Sequence, residues 1–84
     1  MTPGEFRDYL RAEPFIPFRL FTADGMSYDV KSPLHAIPSK YALALGVDFD
    51  DEGVPQRVVY VDPHLVSRVE FDLSGQKPGG GERA

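Results

Sequence analysis

Hydrophobic and polar side chains alternate along much of the chain, which is the pattern of β-strands with one buried face. The alternation is clearest in residues 26–31, and Phe18–Thr22 before it has the same β-rich character. Asp24 and Gly25 lie between the two segments, and an Asp-Gly pair is typical of a tight hairpin turn. The pattern therefore predicts an antiparallel hairpin near the start of the chain.

Three later segments also favour strands. Residues 56–61 are rich in β-branched and aromatic side chains, and residues 67–71 alternate again. In residues 41–47 the hydrophobic positions alternate with alanine and glycine, so this strand could pack on both faces. Because alanine and leucine also favour helices, a helix competes with the strand over residues 41–45. A Ser-Pro sequence at its start and a Pro-Ser-Lys sequence at its end predict a loop over residues 32–40.

A short helix is predicted before the strands. Thr2 and Glu5 have the spacing of a capping box, and Pro3 suits the first helical position. The helix should end before Pro14, since the residue before a proline is disfavoured in the helical region. Its apolar stripe consists of Phe6, Tyr9 and Leu10.

Length and composition are those of one small domain. The chain has 84 residues, of which 42% are hydrophobic and 26% charged. We expect residues 1–73 to form a single domain and the Gly-rich residues 74–84 to be a disordered tail. No apolar run approaches the roughly 20 residues of a membrane-spanning helix, and the N-terminal residues do not resemble a signal peptide. The expected location is cytoplasmic, with no membrane partner.

The predicted fold is mainly β (α+β), with an N-terminal helix followed by a five-stranded antiparallel small barrel. An open meander of this size would leave a hydrophobic face and two edges exposed, so the sheet is expected to curl on itself. The predicted core consists of Phe18, Leu20, Met26, Tyr28, Val30, Leu43, Leu45, Val59, Val61, Val69 and Phe71.

This order of elements resembles the Sm-like variant of the SH3-type small barrel. Residues 18–21 with the Asp-Gly turn correspond to the first hairpin, and residues 58–61, 62–66 and 67–70 correspond to the last two strands and their short connection. The chain is also similar to a group of short bacterial proteins with a proline-rich lead-in and an Asp-Gly hairpin, which implies no activity. The Sm-like resemblance implies subunits that pair through the edges of the fourth and fifth strands.

The resemblance also implies single-stranded RNA binding, but the sequence departs from the pattern. Sm-like proteins contact RNA through an Asp/Asn-containing loop and a basic step after the fourth strand, and this chain has no asparagine. Asp62, Pro63 and His64 stand where the basic step would fall, so His64 is the one candidate ligand or RNA contact. A divergent Sm-like RNA-binding protein is therefore the alternative hypothesis.

The charge disfavours nucleic acid. Nine Lys and Arg against thirteen Asp and Glu give a net charge of −4, and the basic residues occur singly before the tail. Phosphate backbones are bound chiefly by clusters of Lys and Arg. We therefore expect no DNA binding, and RNA binding is disfavoured.

No cofactor, metal site or catalytic residue is predicted. Asp48, Asp50 and Glu52 match early positions of an EF-hand loop, but the closing ligand position holds Val59. The chain has no cysteine, and His64 beside Asp62 has no nucleophile next to it in sequence. These features favour a charged hairpin loop and a capped turn. Because the sequence provides no nucleophile with an adjacent base, the protein is expected not to be an enzyme. A small-molecule or metal site in the barrel mouth is a third hypothesis.

The leading hypothesis is a protein-interaction module. If Leu20, Val59 and Val61 face inward, then Phe21 and Tyr60 face outward on their strands. Exposed aromatic side chains near a free edge indicate a partner surface, so a homo-oligomer or another protein is the expected partner. The predicted interface residues are Phe21, Arg57, Val58, Tyr60 and Arg68.

Overall fold

The computed structural model describes residues 1–75, and the greater part of the predicted tail lies outside them. One helix and six strands follow one another along the chain. They are α1 (Pro3–Arg11), β1 (Phe18–Thr22), β2 (Ser27–Val30), β3 (Ala36–Pro38), β4 (Leu43–Phe49), β5 (Pro55–Val61) and β6 (Val66–Phe71). Short 3-10 turns at Pro33–His35 and Pro63–Leu65 precede β3 and β6. No helix in the described range is long and apolar enough to cross a membrane.

The strands form two antiparallel sheets, each with three strands. The first has the order β2-β1-β6 and the second the order β3-β4-β5. The prediction of a mainly β fold with an N-terminal helix is confirmed. The prediction of a five-stranded closed barrel is wrong, because there are six strands and the two sheets are not joined into one.

The strand that the sequence did not predict is β3, at one edge of the second sheet. Residues 36–38 were predicted as part of a loop, but they form β3 and pair with β4. Pro38 is tolerated there because β3 is an edge strand, where a missing N–H leaves no ladder position unfilled. β4 thus has β3 on one side and β5 on the other, and β2 pairs with β1 in the first sheet.

The core lies between the two sheets and under α1. Its side chains come from the helix and from all six strands. The buried set is Phe6, Phe18, Leu20, Val30, Ala36, Leu43, Leu45, Val61 and Val66. Tyr28, Val59 and Val69 are only partly buried and pack against this set.

Two of the predicted core residues are exposed instead. Met26 lies in the hairpin turn before β2 rather than in the strand, so its side chain is exposed. Phe71 ends β6 at the rim of the core and is also exposed. The strand predicted over residues 41–47 begins later, at Leu43, so Tyr41 precedes β4 and its ring is exposed. Residues 43–49 are extended, so the strand prediction holds there over the helix alternative.

The helix is fixed at both the backbone and the side-chain level. The Thr2 hydroxyl accepts a hydrogen bond from the Glu5 amide and the Glu5 carboxylate accepts one from the Thr2 amide, which completes the predicted capping box. Phe6 is fully buried, and its ring meets that of Phe18 edge to face at 5.8 Å. Since a nine-residue helix is marginal alone, this packing is what holds α1 in place.

We predict that Phe6→Ala lowers the free energy of unfolding by about 3–5 kcal/mol, because it leaves a cavity between α1 and β1. Leu34→Ala is the control: Leu34 is 89% exposed, so the change should stay within about 0.5 kcal/mol. Urea denaturation followed by circular dichroism measures both. Equal effects of the two substitutions would show that α1 does not depend on Phe6.

Candidate functional site: the outer faces of the two sheets

The outer face of the β2-β1-β6 sheet is charged. Arg19 lies on β1, the central strand of this sheet, directly between Asp29 on β2 and Glu70 on β6. The Arg19 guanidinium donates to both oxygens of Asp29, at 2.6 and 3.2 Å. On β6, Arg68 donates to Glu70 at 3.0 Å. We call these four residues the charged face.

Phe21 belongs to the same side of this sheet and does not stand free. It lies opposite Arg68, whose guanidinium carbon is 3.9 Å from the centre of the Phe21 ring. A cation over an aromatic ring is favourable, and it covers the ring. Phe21 is therefore half-buried and one face of its ring is covered by Arg68, whereas the alternation predicted a freely exposed aromatic side chain.

The outer face of the β3-β4-β5 sheet is apolar instead. Ile37, Ala44 and Tyr60 lie directly opposite one another across the three strands, and Val58 is two residues before Tyr60 on the same side. Ile37 is 68% exposed, Val58 57% and Tyr60 77%. We call these four residues the apolar face. It consists of a small floor at Ala44 with larger apolar side chains on either side.

Glycine at position 46 lets Pro55 pack closely against β4 beside Val58. A Cβ at Gly46, which is opposite Val58, would lie 2.9 Å from the Cβ of Pro55. Such an approach is closer than side chains tolerate, so Pro55 can lie against β4 only because residue 46 has no side chain. Proline at the start of β5 also provides no N–H for pairing, which suits an edge strand.

β5 is an edge strand, and the ladder shows which of its backbone groups are free. The Ser39 amide donates to the Ala42 carbonyl, so these two residues form a hydrogen-bonded pair. In an antiparallel ladder every second pair is hydrogen-bonded, and Ile37 and Ala44 are two positions further along, so they form the next such pair. The backbone of Ala44 thus points toward β3, so its neighbours Leu43 and Leu45 point toward β5. Their partners on β5 are Val61 and Val59.

By the same alternation, the N–H and C=O groups of Val58 and Tyr60 point away from β4. In the described part of the chain β5 has no second neighbour. The two residues with the most exposed apolar side chains on β5 therefore also carry its unpaired backbone groups.

The predicted interface residues fall into two groups. Arg57, Val58 and Tyr60 lie together on β5, whereas Phe21 and Arg68 lie on the other sheet and contact each other. Arg57 is engaged with the acidic loop, because its guanidinium donates to Asp48 at 2.6 Å. The structure thus divides the predicted interface residues between the two sheets.

The acidic loop forms a hydrogen-bonded turn. The Asp50 carboxylate accepts hydrogen bonds from the amides of Glu52 and Val54, each at 2.9 Å. Gly53 has a φ of 82°, which closes the turn without a side-chain clash. With Asp48 paired to Arg57, two of the EF-hand-like positions are already engaged. Among residues 1–75, no three acidic or histidine side chains come close enough to hold a metal ion.

His64 lies in the exposed 3-10 turn between β5 and β6. Its amide donates to the Asp62 carboxylate at 2.9 Å, and its ring Nδ1 is 3.2 Å from the same oxygen. The His64 amide holds the pKa of Asp62 below its ordinary value. This is the geometry of an aspartate cap on a turn that begins at Pro63.

A groove separates the two sheets where the barrel does not close. Its volume is about 350 Å³, and it is lined by Tyr28 of β2 and by Val47 of β4, among others. The rings of His35 and Phe49 stack across one end, with their centres 4.1 Å apart. Neither this groove nor Ile37 was predicted from the sequence, because the barrel was expected to close and residues 32–40 were expected to form a loop. A Leu-His-Ala-Ile segment between two prolines was the available signal for a short edge strand.

Comparison of the chain with protein-family models, with curated proteins and with solved structures finds no match. The functional argument therefore rests on the two faces and on the β5 edge.

The charged face should make the free energy of unfolding depend on pH in the acidic range. The hydrogen bonds from Arg19 hold the pKa of Asp29 below its ordinary value. The resulting stabilisation is present above the ordinary aspartate pKa of about 3.9 and is lost as the pH falls through the lower, folded-state pKa. We predict that wild type loses more stability than Asp29→Asn between pH 5 and pH 2.

Arg19→Gln provides the matched background for this measurement, which is urea denaturation at each pH. In Arg19→Gln, the further change Asp29→Asn should alter the acid dependence less than it does in wild type. If Asp29→Asn altered the pH dependence of stability equally in both backgrounds, Arg19 would not be the cause of the lowered pKa of Asp29.

Proposed function

We propose that the chain is a non-enzymatic protein-interaction module that docks through its apolar face and the free edge of β5, and that it self-associates there. The observation that carries this proposal is the contrast between the two outer faces. On one sheet the charged side chains pair with one another, and on the other the exposed side chains are apolar and have no partner among residues 1–75.

The free edge gives the surface its directionality. Apolar contact alone is weakly oriented, whereas an unpaired strand can accept a further strand through backbone hydrogen bonds. Val58 and Tyr60 combine the two features, since their side chains lie on the apolar face and their backbone groups lie on the edge. Edge strands of this kind are usually shielded, and within residues 1–75 the residues of β5 that can shield it are Pro55 and Arg57 at one end.

The alternative of RNA binding gains no support from this surface. The apolar face contains no Lys or Arg, and phosphate contacts depend on those side chains. Arg19, Arg57 and Arg68 are each paired with a carboxylate. The resemblance to Sm-like barrels stays a hypothesis, and the proposed interaction does not depend on it.

We predict that Val58→Lys weakens partner binding by at least about tenfold, because it places an ammonium group in an apolar contact. Val54→Lys is the matched control, since Val54 is 53% exposed but lies in the hairpin loop before β5. Tagged wild type and both variants are used to capture proteins from cells that express the untagged chain, and bound proteins are quantified.

Wild type and Val54→Lys should retain the same bound proteins, whether these are other proteins or the untagged chain, and Val58→Lys should lose them. Equal capture by all three forms would contradict the proposal. Thermal denaturation of the variants shows that each is folded.

A further inference from the structure

The edge of β5 is complementary to itself. We propose that the partner of this surface is a second copy of the chain, joined by antiparallel pairing of the two β5 strands about a two-fold axis at Val59. This inference rests on the proposed function and adds the symmetry and the register with which two copies pair. It would make one continuous six-stranded sheet from two β3-β4-β5 sheets.

The backbone geometry permits this register. Val58 and Tyr60 have the N–H and C=O groups that point outward, so each must pair with an outward-pointing residue of the other strand. With the axis at Val59, Val58 pairs with Tyr60 of the second copy, and Tyr60 pairs with its Val58. Both pairs can exchange two hydrogen bonds, which satisfies all the outward groups of these residues.

The side chains match in the same register. Val58 and Tyr60 of the two copies form a four-residue apolar cluster on the outer face, and cross-strand pairs of aromatic and β-branched side chains are favourable. The cluster is continuous with Ala44 and Ile37 on either side of the seam. On the opposite face Val59, which is only half-buried in one copy, meets Val59 of the second copy.

The charges also select this register. Arg57 is the one charged side chain of β5, and it lies opposite Val61 of the second copy. The two arginines are then about four residues apart along the seam, roughly 13 Å, which is beyond the range of strong repulsion at physiological salt.

Neighbouring registers are less favourable. An axis at Val58 brings the two Arg57 side chains to about 7 Å on one face, and an axis at Arg57 places them directly opposite. An axis at Tyr60 places Val58 opposite Asp62 of the second copy, so an apolar side chain meets a carboxylate. Only the axis at Val59 pairs apolar with apolar and separates the arginines.

Single cysteines test the register, since the chain has none of its own. Residues 57, 58, 59 and 60 are each changed to cysteine in the full chain, and disulfide formation between copies is followed under mild oxidation. A non-hydrogen-bonded antiparallel pair has Cα atoms about 4.5 Å apart, which suits a disulfide. Val59→Cys should therefore cross-link at least about tenfold faster than the other three variants.

Sedimentation of the cysteine-free wild type at micromolar concentrations tests the partner without any substitution. A dimer that dissociates at least about tenfold more readily in Val58→Lys than in Val54→Lys is the expected result. A strict monomer would overturn the inference of a second copy, and so would a ring larger than a dimer. Fastest cross-linking at position 57, 58 or 60 would overturn the register.

The two proposals fail separately. If wild type is monomeric but Val58→Lys still loses a captured protein that Val54→Lys retains, the proposed interaction surface stands and the second copy is wrong. If Val58→Lys changes neither capture nor sedimentation, the proposed interaction surface and the pairing with a second copy are both wrong.

Discussion

The alternation of side chains along each strand, fixed by burial of the core, is the constraint on which the other features depend. Leu20, Leu43 and Leu45 are almost completely buried between the sheets. Shifting a strand by one residue would turn these side chains to solvent, so the hydrophobic core sets the register of every pairing. Once the inner positions are fixed, the identity of each outward-facing residue follows from the sequence.

The two outer faces show different consequences of the same constraint. On the β2-β1-β6 sheet the outward positions carry charges of both signs that pair across strands, which is a common way to make a sheet face compatible with water. On the β3-β4-β5 sheet the corresponding positions carry Ile37, Val58 and Tyr60. Since nothing in the fold of residues 1–75 requires apolar side chains there, their presence is most simply explained by a contact with another molecule.

Local signals in the sequence were sufficient for most elements. The capping box of Thr2 and Glu5, the Asp-Gly hairpin and the alternation of residues 56–61 act over a few residues, and the structure has a helix or strand at each place. The errors concern tertiary context. The prolines at positions 33 and 38 suggested a loop, and only the pairing with β4 makes residues 36–38 a strand. Without β3, a closed barrel was the simplest way to bury the predicted core.

The candidate surface was predictable in part for the same reason. Period-two alternation indicated that Tyr60 faces outward, but it could not show that Arg68 covers Phe21, because that contact joins residues 47 positions apart. That the strand at residues 56–61 pairs through its edge was an expectation from the resemblance to Sm-like barrels. The unpaired groups of this edge could be assigned to Val58 and Tyr60 only from the hydrogen bonds of the β3-β4 ladder.

Amide hydrogen exchange in β5, measured by NMR as a function of protein concentration, tests the central claim most directly. The account predicts that the amides of Val59 and Val61 are protected at every concentration, since they bond to β4. It predicts that those of Val58 and Tyr60 exchange fast in dilute solution and become protected as the concentration rises. Protection of Val58 and Tyr60 that does not depend on concentration would contradict a free edge that pairs with a second copy.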